Sequence, residues 1–304
     1  MVDGILNVNK PLGKTSFDIV ALVRSLSGER QVGHGGTLDP QATGVLPVCL
    51  GQGTRVAEYF MVARKTYLSE IELGKETDTY DSEGKVVRVS DTSGVNKAQV
   101  LEALAKLQGE IEQTPPMYSA IKHEGKALYK LAREGKQVDL KPRKVRIYRI
   151  DVSKWQPPVV TVEVECGRGT YIRSIAHDLG VSLGCGGYVK SLARVKLGPL
   201  DVCDALTVEQ LGMVFEKGGW RELLYPLDIA LTDLSAGVFD ASNERAIVRG
   251  RALDLGATSS EGSMCRAYAC DGRFVGLLSY QGPEGWHPTK VFDTSLGVQS
   301  AAKR

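Results

Sequence analysis

Tyr67-Leu68-Ser69-Glu70-Ile71-Glu72-Leu73 has the period of a β-strand: Tyr67, Ser69, Ile71 and Leu73 alternate with Leu68, Glu70 and Glu72, one set for a core and one for polar surroundings. Upstream, Val45 to Leu50 is an apolar run short enough for a strand buried on both faces, and Gly4-Ile5-Leu6-Asn7-Val8 reads as another. Two more strands are expected around Val145 to Val152 and Val159 to Glu165, and a turn at Asp81-Ser82-Glu83-Gly84. Elsewhere the period is helical. Ser16 is placed as the cap of a helix with Phe17, Val20, Val23 and Leu26 on its apolar face, ending before Gly28. Asn96 caps a second, through Val100, Leu101, Leu104 and Leu107, and Tyr171 to Leu183 form a third, closed by Gly180 and Gly184 as C-terminal glycines. Strands joined through turns, with a few helices between them, indicate an α+β fold rather than βαβ repeats.

From about Leu234 the pattern changes to short strands between Gly/Asp turns, such as Cys265-Arg266-Ala267-Tyr268-Ala269 and Phe274-Val275-Gly276-Leu277-Leu278 around Asp271-Gly272. A small all-β domain is expected over 234–304, after a larger one over 1–233. The chain has 304 residues, 42% of them apolar, enough for such cores. Its net charge of +2 excludes a histone-like protein but not a local basic patch. No stretch approaches the ~18 consecutive apolar residues of a membrane span, and Met-Val-Asp-Gly has neither a basic nor an apolar leader region, so a cytoplasmic protein is expected. Six cysteines without a C-x-x-C pair read as reduced thiols, and four histidines without H-E-x-x-H give no expectation of a metal.

The basic patch lies at 121–150, where ten Lys/Arg, among them Lys141, Arg143 and Lys144, face three acids for a local +7. Tyr118, Tyr129 and Tyr148 are interleaved, supplying rings for bases beside cations for phosphates. A solvated charged hairpin is the alternative; the shortage of compensating acids favours RNA. Two other motifs fail on context. Gly13-Lys14-Thr15 resembles the end of a phosphate-cradling loop, but Val8 stands where that motif needs glycine. Gly180-Val181-Ser182-Leu183-Gly184 spells G-x-S-x-G, yet it ends a helix instead of joining a strand to one.

The loop Gly33-His34-Gly35-Gly36-Thr37-Leu38-Asp39-Pro40-Gln41-Ala42-Thr43-Gly44 packs four glycines around one histidine and one aspartate, and Pro40 favours extended backbone at Asp39. Taken alone, such an Asp is usually a turn or cap residue. This loop, with Asn9-Lys10-Pro11-Leu12-Gly13-Lys14-Thr15-Ser16 before it and Lys65-Thr66-Tyr67, Thr114-Pro115-Pro116-Met117-Tyr118-Ser119-Ala120, Gly169-Thr170-Tyr171-Ile172-Arg173-Ser174 and Asp178-Leu179-Gly180 after it, resembles the TruB family of tRNA pseudouridine-55 synthases. The match is in order over about 230 residues. The C-terminal segment is similar to the PUA RNA-binding barrel of bacterial members, without a sharp motif.

The resemblance implies the pseudouridine synthase fold, with a central mixed, largely antiparallel sheet and helices, and an isomerase without cofactor or metal. Asp39 is then the nucleophile that lets uracil leave C1′ through N1, rotate and rejoin through C5, and Arg173 the cation that favours its ionised form and holds its orientation. Tyr67 would pack on the target base and assist proton removal. Tyr171 and Leu192 would line the uridine pocket, His34 would enter the T-loop in place of flipped nucleotides, and Lys10 would belong to the substrate-binding set. Each has a plainer reading: a surface ion pair for Arg173, core packing for Tyr67 and Leu192, a loop residue for His34. Base flipping costs a few kcal/mol and stacking on one ring returns ~1–3 kcal/mol, leaving a remainder for His34 and for a thumb-like insertion at about 115–150 to supply through phosphate contacts by Lys141, Arg143 and Lys144. Where the family commonly has Leu-Arg-Arg, this sequence has Leu192-Ala193-Arg194, one cation fewer. The implied partner is tRNA through its T-arm and T-loop, with no membrane and no obligatory protein partner, and nothing demands more than a monomer. The alternatives are a tRNA-binding or tRNA-folding factor on the same scaffold, and a nucleotide-dependent enzyme built on Gly13-Lys14-Thr15.

Overall fold

The computed structural model describes residues 2–119, 122–123, 125–135, 138, 140–256 and 259–292. Ala120 and Lys136 lie outside the described residues, as do the side chains of Lys122, Lys130, Arg133 and Tyr129 and the stretch 293–304.

A nine-stranded sheet organises the chain. Along its main path the strands run Gly4–Lys10, Ala42–Leu50, Gly187–Leu197, Lys65–Leu73, Val159–Cys166, Arg143–Gln156 and Gly109–Gln113, with Val32–His34 beside the second and Leu200–Asp201 beside the third. The pairings are antiparallel except one, in which Leu192, Ala193 and Arg194 run parallel to Ala42, Thr43 and Gly44. The sheet is mixed and largely antiparallel, as expected of the α+β class.

Both strand patterns hold. In Lys65–Leu73, Tyr67, Ser69, Ile71 and Leu73 are buried. In Ala42–Leu50, Leu46, Val48 and Leu50 enter one core with Leu6 and Val8, while Val45 and Cys49 enter another with Ile5 and Phe60; burial on both faces is what the unbroken apolar run encodes. The second core also takes up Leu277 and Phe292 from a four-stranded C-terminal sheet of Ser235–Phe239, Met264–Ala269, Phe274–Tyr280 and Trp286–Val291. That C-terminal segment is not all-β. Asp240 accepts hydrogen bonds from the Ser242 and Asn243 amides and starts a helix over Ala241–Val248, whose Ile247 is buried against the sheet with Phe239 and Trp286. The helix has one fully buried apolar residue, too weak a period to read from sequence.

Three local readings change. The cap of the first helix, Ser16–Ser27, is Thr15, in a reciprocal box with Asp18. Ser16 instead exchanges two hydrogen bonds with the Leu38 backbone, which turns Phe17 outward to 66% exposure and leaves Ile19, Val20 and Val23 as the buried stripe. Gly180 does not end the helix Ile172–Ser182 but lies inside it, where a Cβ would sit 2.2 Å from the backbone of Gly186 and Gly187. Gly184, with φ of +73°, does follow its end.

Candidate active site

Three neighbouring strands, Ala42–Leu50, Gly187–Leu197 and Lys65–Leu73, meet where the Gly-rich loop enters the sheet. Asp39 sits at the end of that loop with its side chain 47% exposed beside a cleft that Gln41, Ala42, Asp81, Arg173 and Leu192 also line. Arg173, on the first turn of Ile172–Ser182, is 7% exposed and brings Nη2 within 2.8 Å of Asp39 Oδ2. Its donors are divided among four acceptors. Nη2 also donates to the Tyr118 carbonyl at 2.9 Å, while Nη1 faces Asp81 Oδ2 at 3.2 Å and the Thr79 carbonyl at 3.3 Å. A guanidinium held on both edges cannot swing, so it fixes the carboxylate it meets on its accessible side.

The loop is held from below by buried cations that have carbonyls for partners. Lys10 is fully buried, and its Nζ donates to the carbonyls of Pro11, Lys14 and Pro40 at 2.9, 2.7 and 3.4 Å. Arg194, 1% exposed, donates to the carbonyls of Val45, Gly36 and Thr37 at 2.8, 3.1 and 3.5 Å and reaches the Tyr67 hydroxyl. Its Cα partners across the sheet are Gly44 on one side and Tyr67 on the other. At Gly44, with φ of +103°, a Cβ would lie 2.2 Å from the Arg194 carbonyl, so only glycine lets the loop enter the sheet this close. The Gly13 amide donates to the Pro40 carbonyl at 2.9 Å, and the Ala42 amide to the Asp39 carbonyl at 3.0 Å.

Burial pulls Lys10 down to about 8, against the opposing pull of Asp39, and pulls Lys65 down to about 8 where its Nζ caps the carbonyls of Met61 and Ala63. Burial pushes the Tyr67 phenol up, with Arg194 opposing it. It pushes His34 down, helped by the Arg194 charge, which keeps this ring neutral at pH 7. The Gly36 amide donates to His34 Nδ1 at 3.3 Å, so the ring carries its proton on Nε2.

The structure brings Asp39, Arg173 and Leu192 together around one cleft. Tyr67 and Tyr171 lie close enough to sense the Asp39 charge; the Tyr171 backbone is held by Gln113, whose amide side chain bonds its N–H at 2.8 Å and its carbonyl at 3.1 Å. His34 is half-buried at the end of Val32–His34, paired with Val48. Lys10, expected among the substrate contacts, is fully buried, with its ammonium on three carbonyls of the loop. Lys141, Arg143 and Lys144 are exposed, and Lys144 makes an ion pair with Glu110 at 3.3 Å. Sequence reasoning missed two members. Asp81 was read only as a turn residue, and Arg194 only as part of a shortened cation motif.

Among the described residues no group of three or more His, Cys, Asp or Glu could hold a metal ion, and no helix is long and apolar enough to cross a membrane.

Comparisons with known proteins place this geometry. Residues 24–172 match the model of the TruB family pseudouridylate synthase N-terminal domain, and 173–232 that of the tRNA pseudouridylate synthase B C-terminal domain. A tRNA pseudouridine synthase B of Dehalococcoides mccartyi is 45% identical over 96% of this chain and 97% of its own. One from Haemophilus influenzae is 36% identical over 95% and 93%. Among solved structures, a chain of a Cbf5-Nop10-Gar1 complex superposes with a TM-score of 0.75 at 25% identity, covering 95% of this chain and 85% of that one.

Proposed function

Because this chain belongs to the TruB family and is an isomerase that makes pseudouridine in tRNA, we propose that its target is uridine 55 in the T-loop and that Asp39 is its nucleophile. The observation that carries this reading is the 2.8 Å pair between the half-exposed Asp39 carboxylate and the buried Arg173 guanidinium at the cleft. The reaction needs a carboxylate at a fixed position, and a guanidinium whose other donors are occupied supplies that position.

Atoms balance without an added reactant. Asp39 forms a bond to the substrate and the N1–C1′ bond breaks with its electron pair on uracil; the base turns, a C5–C1′ bond forms, the bond to Asp39 breaks with its electron pair returned to the carboxylate, the proton on C5 leaves and a proton ends on N1. Asp39 is the nucleophile that makes the base detachable. Tyr67, with its hydroxyl against Arg194, packs on the base and assists removal of the C5 proton. Leu192 and Tyr171 wall the pocket, so the detached base meets apolar surface rather than water. His34, neutral, fills space in the T-loop left by the flipped nucleotides. Lys141, Arg143 and Lys144, on a thumb-like insertion at about 115–150, hold the T-arm through phosphates. Residues 1–233 form the catalytic unit and 234–304 a PUA-like RNA-binding unit. The protein acts as a cytoplasmic monomer with no protein partner and no cofactor.

The target position is tested on an unmodified tRNA transcript incubated with the protein. Carbodiimide modification of pseudouridine then gives a reverse-transcription stop one nucleotide 3′ of position 55, absent from a transcript with cytidine there. A stop elsewhere, or none, overturns the assignment to the T-loop.

A further inference from the structure

Tyr80 is the one non-glycine among the described residues with positive φ, at +61°. A bulky side chain in the left-handed region is an outlier that persists only where its surroundings determine it, and such residues gather at functional sites. Its neighbours explain the location. Thr79 and Asp81, on either side of Tyr80, supply the carbonyl and the carboxylate that both engage Arg173 Nη1, the nitrogen that Asp39 leaves free. The left-handed residue between them turns these two acceptors toward one donor.

Two contacts hold the turn. The Tyr80 carbonyl accepts the Val189 amide at 3.0 Å, tying it to the Gly187–Leu197 strand. The Tyr80 ring lies on the His177 ring, centroids 4.0 Å apart and planes 17° from parallel. His177 is four residues beyond Arg173 on the same helix, so the stack lies one turn from the guanidinium it supports. We propose that Tyr80 is a positioning residue for the isomerisation: its stack on His177 holds the left-handed turn that grips Arg173 Nη1, and so fixes the Nη2 edge that orients Asp39.

This inference rests on the proposed role of Asp39. Its test is the single-turnover rate with unmodified tRNA, beside the tRNA dissociation constant and the melting temperature, for Tyr80→Phe, Tyr80→Ala, Tyr80→Gly and His177→Ala. Tyr80→Phe keeps the ring and is expected within twofold of wild type. Tyr80→Ala keeps a Cβ in the left-handed region without the stack and is expected to lose about tenfold in rate with tRNA affinity unchanged, a drop worth ~1.4 kcal/mol in barrier. Tyr80→Gly, free to adopt positive φ, recovers part of that loss, the reverse of the order expected if side-chain packing alone mattered. His177→Ala matches Tyr80→Ala, and the double variant adds no further loss.

A wild-type rate for Tyr80→Ala, a Tyr80→Phe rate as low as that of Tyr80→Ala, or a loss confined to tRNA affinity overturns the proposal. If the wild-type protein itself has no activity, the catalytic reading fails first. The positioning claim is then decided in RNA-free protein by the ¹⁵N resonances of the Arg173 guanidinium, which shift and broaden in Tyr80→Ala but not in Tyr80→Phe. Unchanged resonances in both overturn it.

Discussion

The loop that carries Asp39 and the segment that carries Lys141, Arg143 and Lys144 are both polar interruptions of a β framework, and they treat charge in opposite ways. Under the loop, Lys10 and Arg194 are fully buried, donating to carbonyls, and Ser16 fastens Leu38 from the side. In the basic segment the three cations point to solvent, and Lys144 with Glu110 forms a pair whose side chains are 75% and 60% exposed. Buried cations fix a backbone because an unmet donor or acceptor in the interior is costly; exposed ones gain little from a solvated pair and remain available for phosphates. The first arrangement suits a carboxylate that must not move, and the second suits long-range, salt-sensitive capture of RNA.

The contrast makes separate predictions for the two regions. Arg173→Met, which removes the cation at the rigid end, should lower the single-turnover rate by ~10²–10³-fold with tRNA affinity within a few-fold of wild type; equal losses in rate and affinity would break the division of labour. Arg194→Met orphans carbonyls at Gly36, Thr37 and Val45 and should cost about 3 kcal/mol of stability in denaturant unfolding, whereas an unchanged midpoint would mean the loop is held without it. Replacing Lys141, Arg143 and Lys144 together by Gln should leave stability and the bound-state rate alone. The slope of log affinity against log salt should become shallower by roughly 2 to 3, and an unchanged slope would remove the segment from the RNA interface.

The smallest effect is on pH. Lys10 and Lys65 release their protons near pH 8 when folded, whereas an exposed lysine holds its own to about 10.4. Between those values the unfolded chain binds more protons, so both lysines make stability rise with pH. Lys65→Met should therefore flatten the stability profile from pH 8 to 10. In the same window the rate should fall as neutral Lys10 loosens its hold on the Pro40 carbonyl.

What could be read from the sequence follows the range of the interactions. Period-two burial in Lys65–Leu73 and the cap at Asn96 are local properties, and both were legible. Thr15 and Ser16 are each capable caps, and the choice between them was made by the Leu38 backbone, 22 residues from Ser16. Asp81 met Arg173 across 92 residues and Arg194 met Gly36 across 158, so neither contact left a local pattern. Asp39, Tyr67 and Arg173 were named through ordered family motifs, while spacing alone said only that a glycine-rich loop presents a carboxylate. Lys10 shows the converse: the motif marks its position, and only the fold shows that it is buried on the loop carbonyls.

The central claim is that the Asp39 carboxylate, held by Arg173, begins the isomerisation. Tritium release from a tRNA transcript carrying 5-³H-uridine tests it most directly, because forming the C5–C1′ bond expels the proton on C5. Release is expected from the wild-type protein and none from Asp39→Asn, a nearly isosteric variant expected to fold and to bind the transcript as the wild type does. Release by Asp39→Asn at a rate near that of wild type would contradict it.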